Sequence, residues 1–105
     1  MKTIDVGRDF SRVPVGRYVE DGSFTGEHFR LQLLEPAFKA GESVRVILDT
    51  TAGYGSSFLE EAFGGLVRSL KLAPAEVISR LTLDTDDPSL KEEILEYILE
   101  ARLNG

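Results

Sequence analysis

The chain has 105 residues, of which 42% are hydrophobic and 29% are charged, a composition that predicts one globular domain. It contains no cysteine, which excludes a disulfide framework, a thiolate nucleophile and a cysteine-type zinc site and favours the cytoplasm. The formal net charge of −6 argues against a nucleic-acid partner. The sequence has no long apolar run, so no membrane span is predicted, and its polar N-terminus does not predict a signal peptide.

The first quarter of the chain predicts one strand followed by an irregular arm. Lys2–Val6 reads as a strand with Ile4 and Val6 on one face. Glycines and Pro14 interrupt the residues that follow. The valines and Tyr18 of Arg12–Val19 could still form an antiparallel edge strand.

A helix is predicted after Thr25, because threonine is a favoured N-cap and Glu27 lies where the helix dipole favours an anion. Proline at position 36 should end or bend this helix, and Gly41 should stop it. Its apolar residues recur at helical spacing: Phe29, Leu33, Leu34, Ala37 and Phe38.

Val44–Asp49 is nearly continuous in apolar residues, which predicts a central strand buried on both faces. Ser57 and Glu60 then match the capping box that opens a helix. The glycine pair Gly64-Gly65 inside this helix is costly, at about 1 kcal/mol per glycine relative to alanine, and predicts close approach of the helix to a strand or a partner. The helix carries an apolar stripe: Leu59, Ala62, Phe63, Leu66, Val67 and Leu70.

The last third predicts a strand and a long helix. Pro74 separates the preceding helix from a strand over Val77–Leu83. Asp87-Pro88 is an N-cap followed by proline at the first helical position, and the helix should run to about Leu103. Its apolar residues form two lines, one with Leu90, Ile94, Ile98 and Ala101, the other with Leu95, Leu99 and Leu103.

This order of elements predicts an α/β domain with a small mixed, mostly parallel sheet and packed helices. The strands beginning near Lys2, Val44 and Glu76 should be mainly parallel. One line of the last helix should face the sheet, and the other should be partly exposed for a partner or a second copy of the chain.

Few polar residues in the sequence suggest a catalytic or metal-binding site. The lone His28 stands without a second histidine or any cysteine, so it predicts surface or packing use and no metal site. The acidic residues Asp84, Asp86 and Asp87 lack the ligand pattern of a calcium loop and are better explained by the helix start. Neither observation predicts an enzyme or a cofactor.

Two segments carry a family resemblance: GRYVEDGSFTGEHFR, Gly16–Arg30, and LDTTAGYGSSFLEEAFGGL, Leu48–Leu66. Their pattern resembles the STAS-like bacterial domains, small relatives of the anti-sigma-factor antagonists. In those antagonists a strand ends in aspartate, and D-S-S-G or D-S-T-G opens the next helix. Asp49 matches the strand end, whereas Gly55 and Phe58 replace the residues that flank the hydroxyl pair.

The resemblance implies a STAS-like fold over residues 1–105 and a regulatory protein-interaction module without catalysis. It implies that Ser56 is a phosphoacceptor for a kinase-like or sensor partner. The contact surface would comprise the helix Ser57–Leu70, the loop before it and part of the last helix. The residues expected at the partner or ligand contact are Arg17, Thr25, Asp49, Ser56, Ser57 and Phe58.

A second interpretation is a small-ligand or nucleotide-binding domain that uses the loops Gly16–Glu27 and Asp49–Ser56. A cavity lined by Arg17, Thr25 and Ser56 would favour this interpretation, and a flat apolar patch would favour a protein partner. Arg17 has a competing structural explanation, an ion pair with Asp21 or Glu27.

Overall fold

The computed structural model describes the backbone of residues 1–104 and the side chains of residues 1–101. Three short strands, β1 (Lys2–Asp5), β2 (Val44–Ile47) and β3 (Leu81–Asp84), form a parallel sheet in the order β1-β2-β3. The predicted α/β class and the central position of the second strand are therefore confirmed. Within the described residues the arm supplies no strand, so the expected antiparallel edge is wrong.

The two faces of the sheet differ in burial. Ile4, Val46 and Leu83 pair side by side and are buried, whereas Thr3, Arg45 and Thr82 form the neighbouring row and are exposed. The expectation that β2 is buried on both faces is wrong. The helices therefore cover one face of the sheet, and the other row meets water.

The arm leaves the sheet through a short helix, α1 (Val6–Asp9), which Asp5 caps by accepting a hydrogen bond from the Arg8 amide at 3.2 Å. Beyond it, residues 10–25 hold one 3-10 turn, Val19–Asp21. Backbone bonds tie the arm to the next helix: the amide of Gly26 donates to the carbonyl of Gly16 at 3.0 Å.

Helix α2 spans residues 26–39, with α-helical ends (Gly26–Phe29 and Glu35–Lys39) and a π-helical middle, Arg30–Leu34. Thr25 caps it as predicted, accepting from the His28 amide at 3.3 Å. The helix does not end at Pro36. The widened turn just before proline relieves the clash that its ring would make in a regular helix. The predicted stop at Gly41 is confirmed by a φ of 80°.

Helix α3 spans residues 56–70 with the same construction: α-helical Ser56–Leu59, π-helical Glu60–Gly64 and α-helical Gly65–Leu70. Its inner face carries Phe63 and Leu66, both fully buried as predicted. Lys71 follows in the left-handed conformation and ends the helix.

The predicted strand over Val77–Leu83 is partly wrong. Residues Pro74–Arg80 form helix α4, and only the last part of the range belongs to β3. Pro74 occupies the first helical turn, where its fixed φ favours a helix and its missing N–H costs nothing. The proline therefore starts a helix here instead of separating a helix from a strand.

Helix α5 (Pro88–Asn104) begins as predicted, with Asp87 accepting from the amides of Ser89 at 3.0 Å and Leu90 at 3.3 Å. Ile94, Ile98 and Ala101 are buried, and α5 packs chiefly against α3 and α4, so the expectation that this line faces the sheet is wrong. Within the second apolar line, Leu99 is exposed and Leu95 is half-buried. The side chain of Leu103 lies outside the described residues.

The core lies between the sheet and the helices. An aromatic group at its centre joins the arm to α2 and α3: the rings of Phe10 and Phe29 are 5.2 Å apart, and those of Phe29 and Phe58 are 5.8 Å apart. Burial of such large rings is the main stabilising contribution in a domain of this size. None of the helices described here combines the length and apolar character needed to cross a bilayer.

Candidate functional site

Ser56 and Ser57 are the first two residues of α3, and both are exposed. The N-cap is Gly55, whose carbonyl accepts from the Leu59 amide at 3.2 Å without a side-chain cap. The predicted capping box of Ser57 with Glu60 is therefore wrong. Two arginines bind the Glu60 carboxylate, so it is not available to accept a hydrogen bond from a backbone amide at the helix start.

The surroundings of Ser56 include the exposed face of α5. The Tyr97 hydroxyl donates to the Glu93 carboxylate at 2.6 Å. This hydrogen bond raises the pKa of Tyr97 to about 12, while the nearby Ser56 side chain acts in the opposite direction. Ser56 therefore lies beside a tyrosine–carboxylate pair at the junction of two helices.

The predicted strand ends earlier than expected, at Ile47, so Asp49 lies beyond β2, and its carboxylate is engaged by the segment after β3. It accepts from the Thr85 hydroxyl at 2.6 Å and from the Asp86 amide at 2.7 Å. The bond from Thr85 leads in holding the pKa of Asp49 below its ordinary value. The role of Asp49 in this structure is to join two loops at the carboxyl edge of the sheet.

Two predicted contact residues are inaccessible to a partner. Thr25 is fully buried and its hydroxyl lies 3.0 Å from Nδ1 of His28, and Phe58 is 1% exposed within the aromatic core. The remainder of α3 is likewise mostly buried from Phe58 to Val67. At the start of the helix only the two serines are exposed, so most of α3 is not accessible to the expected partner.

Arg17 pairs with neither Asp21 nor Glu27. Its guanidinium donates to Glu60 at 2.5 Å and lies 3.6 Å from Glu61. Arg68 binds the same Glu60 carboxylate from the far side at 2.6 Å. These bonds fasten the arm to α3 and occupy the arginine that had been expected at a ligand site.

A second set of charges lies deeper, where the π-helical turns of α2 and α3 meet. Arg30 donates to the carboxylates of Glu35 and Glu61, the latter at 2.9 Å, and to the Glu61 carbonyl at 3.2 Å. Ser69 adds a hydrogen bond to Glu35 at 2.8 Å. Arg30, Glu35 and Glu61, here called the ion cluster, are all less than 10% exposed.

The ion cluster is not predicted from the sequence, which carries one signal for it, the glycine pair Gly64-Gly65. A Cβ atom on Gly65 would lie 2.5 Å from Nε of Arg30, and one on Gly64 would lie 3.2 Å from the Tyr97 carbonyl. Close approach does occur at this glycine pair, but the neighbours are α2 and α5 and not the expected strand or partner. Glycine is needed here because any side chain would occupy the space of a buried guanidinium or a neighbouring helix.

An exposed apolar surface lies on the arm. Val13 and Val15 are more than 60% exposed, and Phe24 is held next to Val15 by a backbone bond of 2.9 Å. A shallow groove of about 310 Å³ separates this surface, called the arm patch, from the loop Ala52–Gly55. The groove ends at Gly55, the residue before Ser56, so the arm patch and the exposed serines adjoin.

The cavities found among the described residues do not bring Arg17, Thr25 and Ser56 together. The structure thus gives no support to the ligand-binding interpretation that depended on those three residues. Asp84 pairs with Arg45 and Asp87 caps α5, in line with a structural role for these acids. In the part of the chain that the structure describes, no group of three metal-ligating side chains converges.

Comparison with known proteins gives one match. A family described as a STAS-like domain of unknown function (DUF4325) matches residues 25–91, a range that includes both serines and the ion cluster. No curated protein and no solved structure matches the chain. The family match covers more than half of the sequence and fits the α/β architecture, and the chain therefore belongs to the STAS-like family.

Proposed function

We propose that this domain is a non-catalytic regulatory module that binds a protein partner through the arm patch and the serines beside it. The observation that carries the proposal is the continuity between an exposed apolar surface and an exposed serine at a helix start. Val13 and Val15 line one groove together, and exposed apolar residues that cluster in this way mark interaction sites, unlike those that are scattered singly. The resemblance to antagonists favours a kinase-like or sensor protein as the partner.

Phosphorylation of Ser56 would regulate this contact. A phosphate adds a charge of about −1.5 to −2, and the unpaired amides at a helix N-terminus tolerate that charge well. The carboxylate of Glu93, held near Ser56 through Tyr97, would repel the phosphate. The modified serine would therefore turn away from α5 and bring negative charge to the edge of the arm patch.

Ser57 supplies the internal comparison for this proposal. It is exposed on the same first turn, but the resemblance places the phosphoacceptor one residue earlier. We expect phosphoproteomics of the native protein to find phosphate on Ser56 and not on Ser57. If neither serine is ever modified, the switch is absent and the domain is a constitutive binding module.

Partner binding tests the surface separately from the switch. We expect Val13→Ser with Val15→Ser to abolish capture of the native partner, because both changes remove exposed apolar area from the arm patch. Leu99→Ser is the matched control, since it removes a similarly exposed side chain from α5. We expect Ser56→Asp to weaken binding and Ser56→Ala to retain it.

Two results would contradict the proposal. Unchanged capture by the arm-patch variant would remove the arm as the contact surface. Capture lost equally in the Leu99→Ser control would indicate a contact through α5, and light scattering would then show whether a second copy of the chain is the partner.

A further inference from the structure

A cavity of about 610 Å³ lies on a different part of the molecule, where the end of α3, the link to α4 and the end of α5 meet. Its lining is largely apolar and includes Val67, Leu72, Pro74 and Ala101. Sites for small molecules have volumes of about 300–1,000 Å³ and a mainly apolar lining with few polar groups. The cavity shares no residue with the arm patch or the serines, so the proposed partner contact does not explain it.

The backbone of Lys71, which also lines this cavity, is in an unusual conformation. Among the described residues it is the one non-glycine with a positive φ, at 56°. The left-handed conformation costs energy in any residue with a Cβ atom, and glycine is the usual residue at this position after a helix. A glycine would end α3 without this strain, so the left-handed conformation by itself does not favour a lysine.

Charge gives a reason for the lysine. Lys71 and Arg68 bring two cationic side chains to a cavity in a chain whose net charge is −6. The guanidinium of Arg68 is committed to Glu60, with bonds of 2.6 and 3.1 Å. Among the described residues that line the cavity, Lys71 therefore supplies a positive charge that is available to an anion.

We propose that this cavity binds a small ligand with an apolar body and a single carboxylate. The apolar body would pack against Val67, Leu72 and Ala101, and the carboxylate would pair with Lys71. The inference rests on the cavity and on the strained lysine, and it is independent of the proposed partner contact.

Decanoate and decanol are suitable probes, because they share an apolar chain and differ in charge. We expect decanoate, below its micelle concentration, to shift the methyl NMR signals of Val67, Leu72 and Ala101. It should bind about fivefold more tightly than decanol, the effect of one partly exposed ion pair. No shift with either probe, or equal affinity for both, would overturn the proposal.

Lys71→Gly separates a binding role from a structural one. We expect this variant to melt at a higher temperature than wild type, because glycine relieves the left-handed strain. It should nevertheless lose the preference for decanoate over decanol. Lys91→Ala, which removes a positive charge from the exposed start of α5, is the control and should retain that preference. A Lys71→Gly protein that binds decanoate as wild type does would refute the assignment of Lys71.

Discussion

The ion cluster and the arm patch reverse the usual distribution of side chains. Arg30, Glu35 and Glu61 are charged and lie in the interior, whereas Val13 and Val15 are apolar and lie in water. Every buried polar side-chain atom among the described residues has a hydrogen-bond partner, so the charges are fully satisfied where they are. Val13 and Val15 of the arm patch, by contrast, remain more than 60% exposed.

The ion cluster therefore serves folding, whereas the arm patch is a surface on which a partner could bind. Buried charges that satisfy each other add little net stability, but the loss of one member leaves the others buried and unpaired. Exposed valines contribute little to stability, and their loss leaves the fold intact. We therefore expect substitutions in the ion cluster to lower the free energy of unfolding, and substitutions of the exposed valines in the arm patch to change binding alone.

The largest effect should come from Arg30→Met, which keeps most of the side-chain volume but removes the charge. Glu35 and Glu61 would then be buried without their common partner, at a cost of about 3–5 kcal/mol in the free energy of unfolding. Denaturant unfolding measures this directly. Arg45→Met is the control, since Arg45 pairs with Asp84 at the surface and should contribute about 0–1 kcal/mol. Equal losses in the two variants would contradict the comparison.

Gly65→Ala should have the next largest effect. Alanine in a helix normally gains about 1 kcal/mol over glycine, but the new methyl group would strike Arg30 and cost about 1–3 kcal/mol. We expect a net loss of up to about 2 kcal/mol by thermal or chemical unfolding. In an Arg30→Ala background, Gly65→Ala should lower the free energy of unfolding by less, because the obstructing atoms are gone. Strictly additive losses in the double variant would show that the two residues do not compete for space.

Acid should weaken the attachment of the arm through Glu60. Burial opposes ionisation of this carboxylate, but the hydrogen bonds from Arg68 and Arg17 outweigh burial and hold the pKa of Glu60 below its ordinary value of 4.5. The group therefore stabilises the fold above pH 4.5, and the contribution is lost as the pH falls through the lowered pKa. We expect Glu60→Gln to reduce the loss of melting temperature on acidification. The exposed Glu20→Gln is the control, and an identical pH profile in both variants would exclude Glu60.

The smallest effect should come from Val15→Thr, which is nearly isosteric. On the exposed arm it should change the free energy of unfolding by less than about 0.5 kcal/mol. The same change at Val46, fully buried in β2, places a hydroxyl in the core and should cost about 1–3 kcal/mol. Urea titrations of both proteins would sharpen the comparison; a large loss from Val15→Thr would mean that the arm patch belongs to the core.

Elements specified by local signals were predicted well. The caps at Thr25 and Asp87, the stop at Gly41 and the strand at Val44 depend on residues within a few positions of each other. The sequence does not predict the helix over Pro74–Arg80, because a short apolar run fits either a helix or a strand and a proline can separate two elements as well as begin one.

The candidate site was harder to predict, because distant residues decide it. Ser57 and Glu60 match a capping box in sequence, yet Arg17 and Arg68 bind the glutamate from 43 and 8 positions away. Arg30 and Glu61 are separated by 31 positions, and their spacing carries no periodic signal. Only the costly glycine pair at Gly64-Gly65 indicated that something would press closely against this part of α3.

The strand order β1-β2-β3 also determines how the chain can assemble. Lys2 pairs with Val44, and Val44 pairs with Leu81, so each pairing closes a loop of about forty residues. Such long closures slow the formation of a parallel sheet. During synthesis, however, each strand joins the one made before it, so the sheet can grow from the N-terminus as the chain leaves the ribosome, without waiting for a later strand to be inserted between earlier ones.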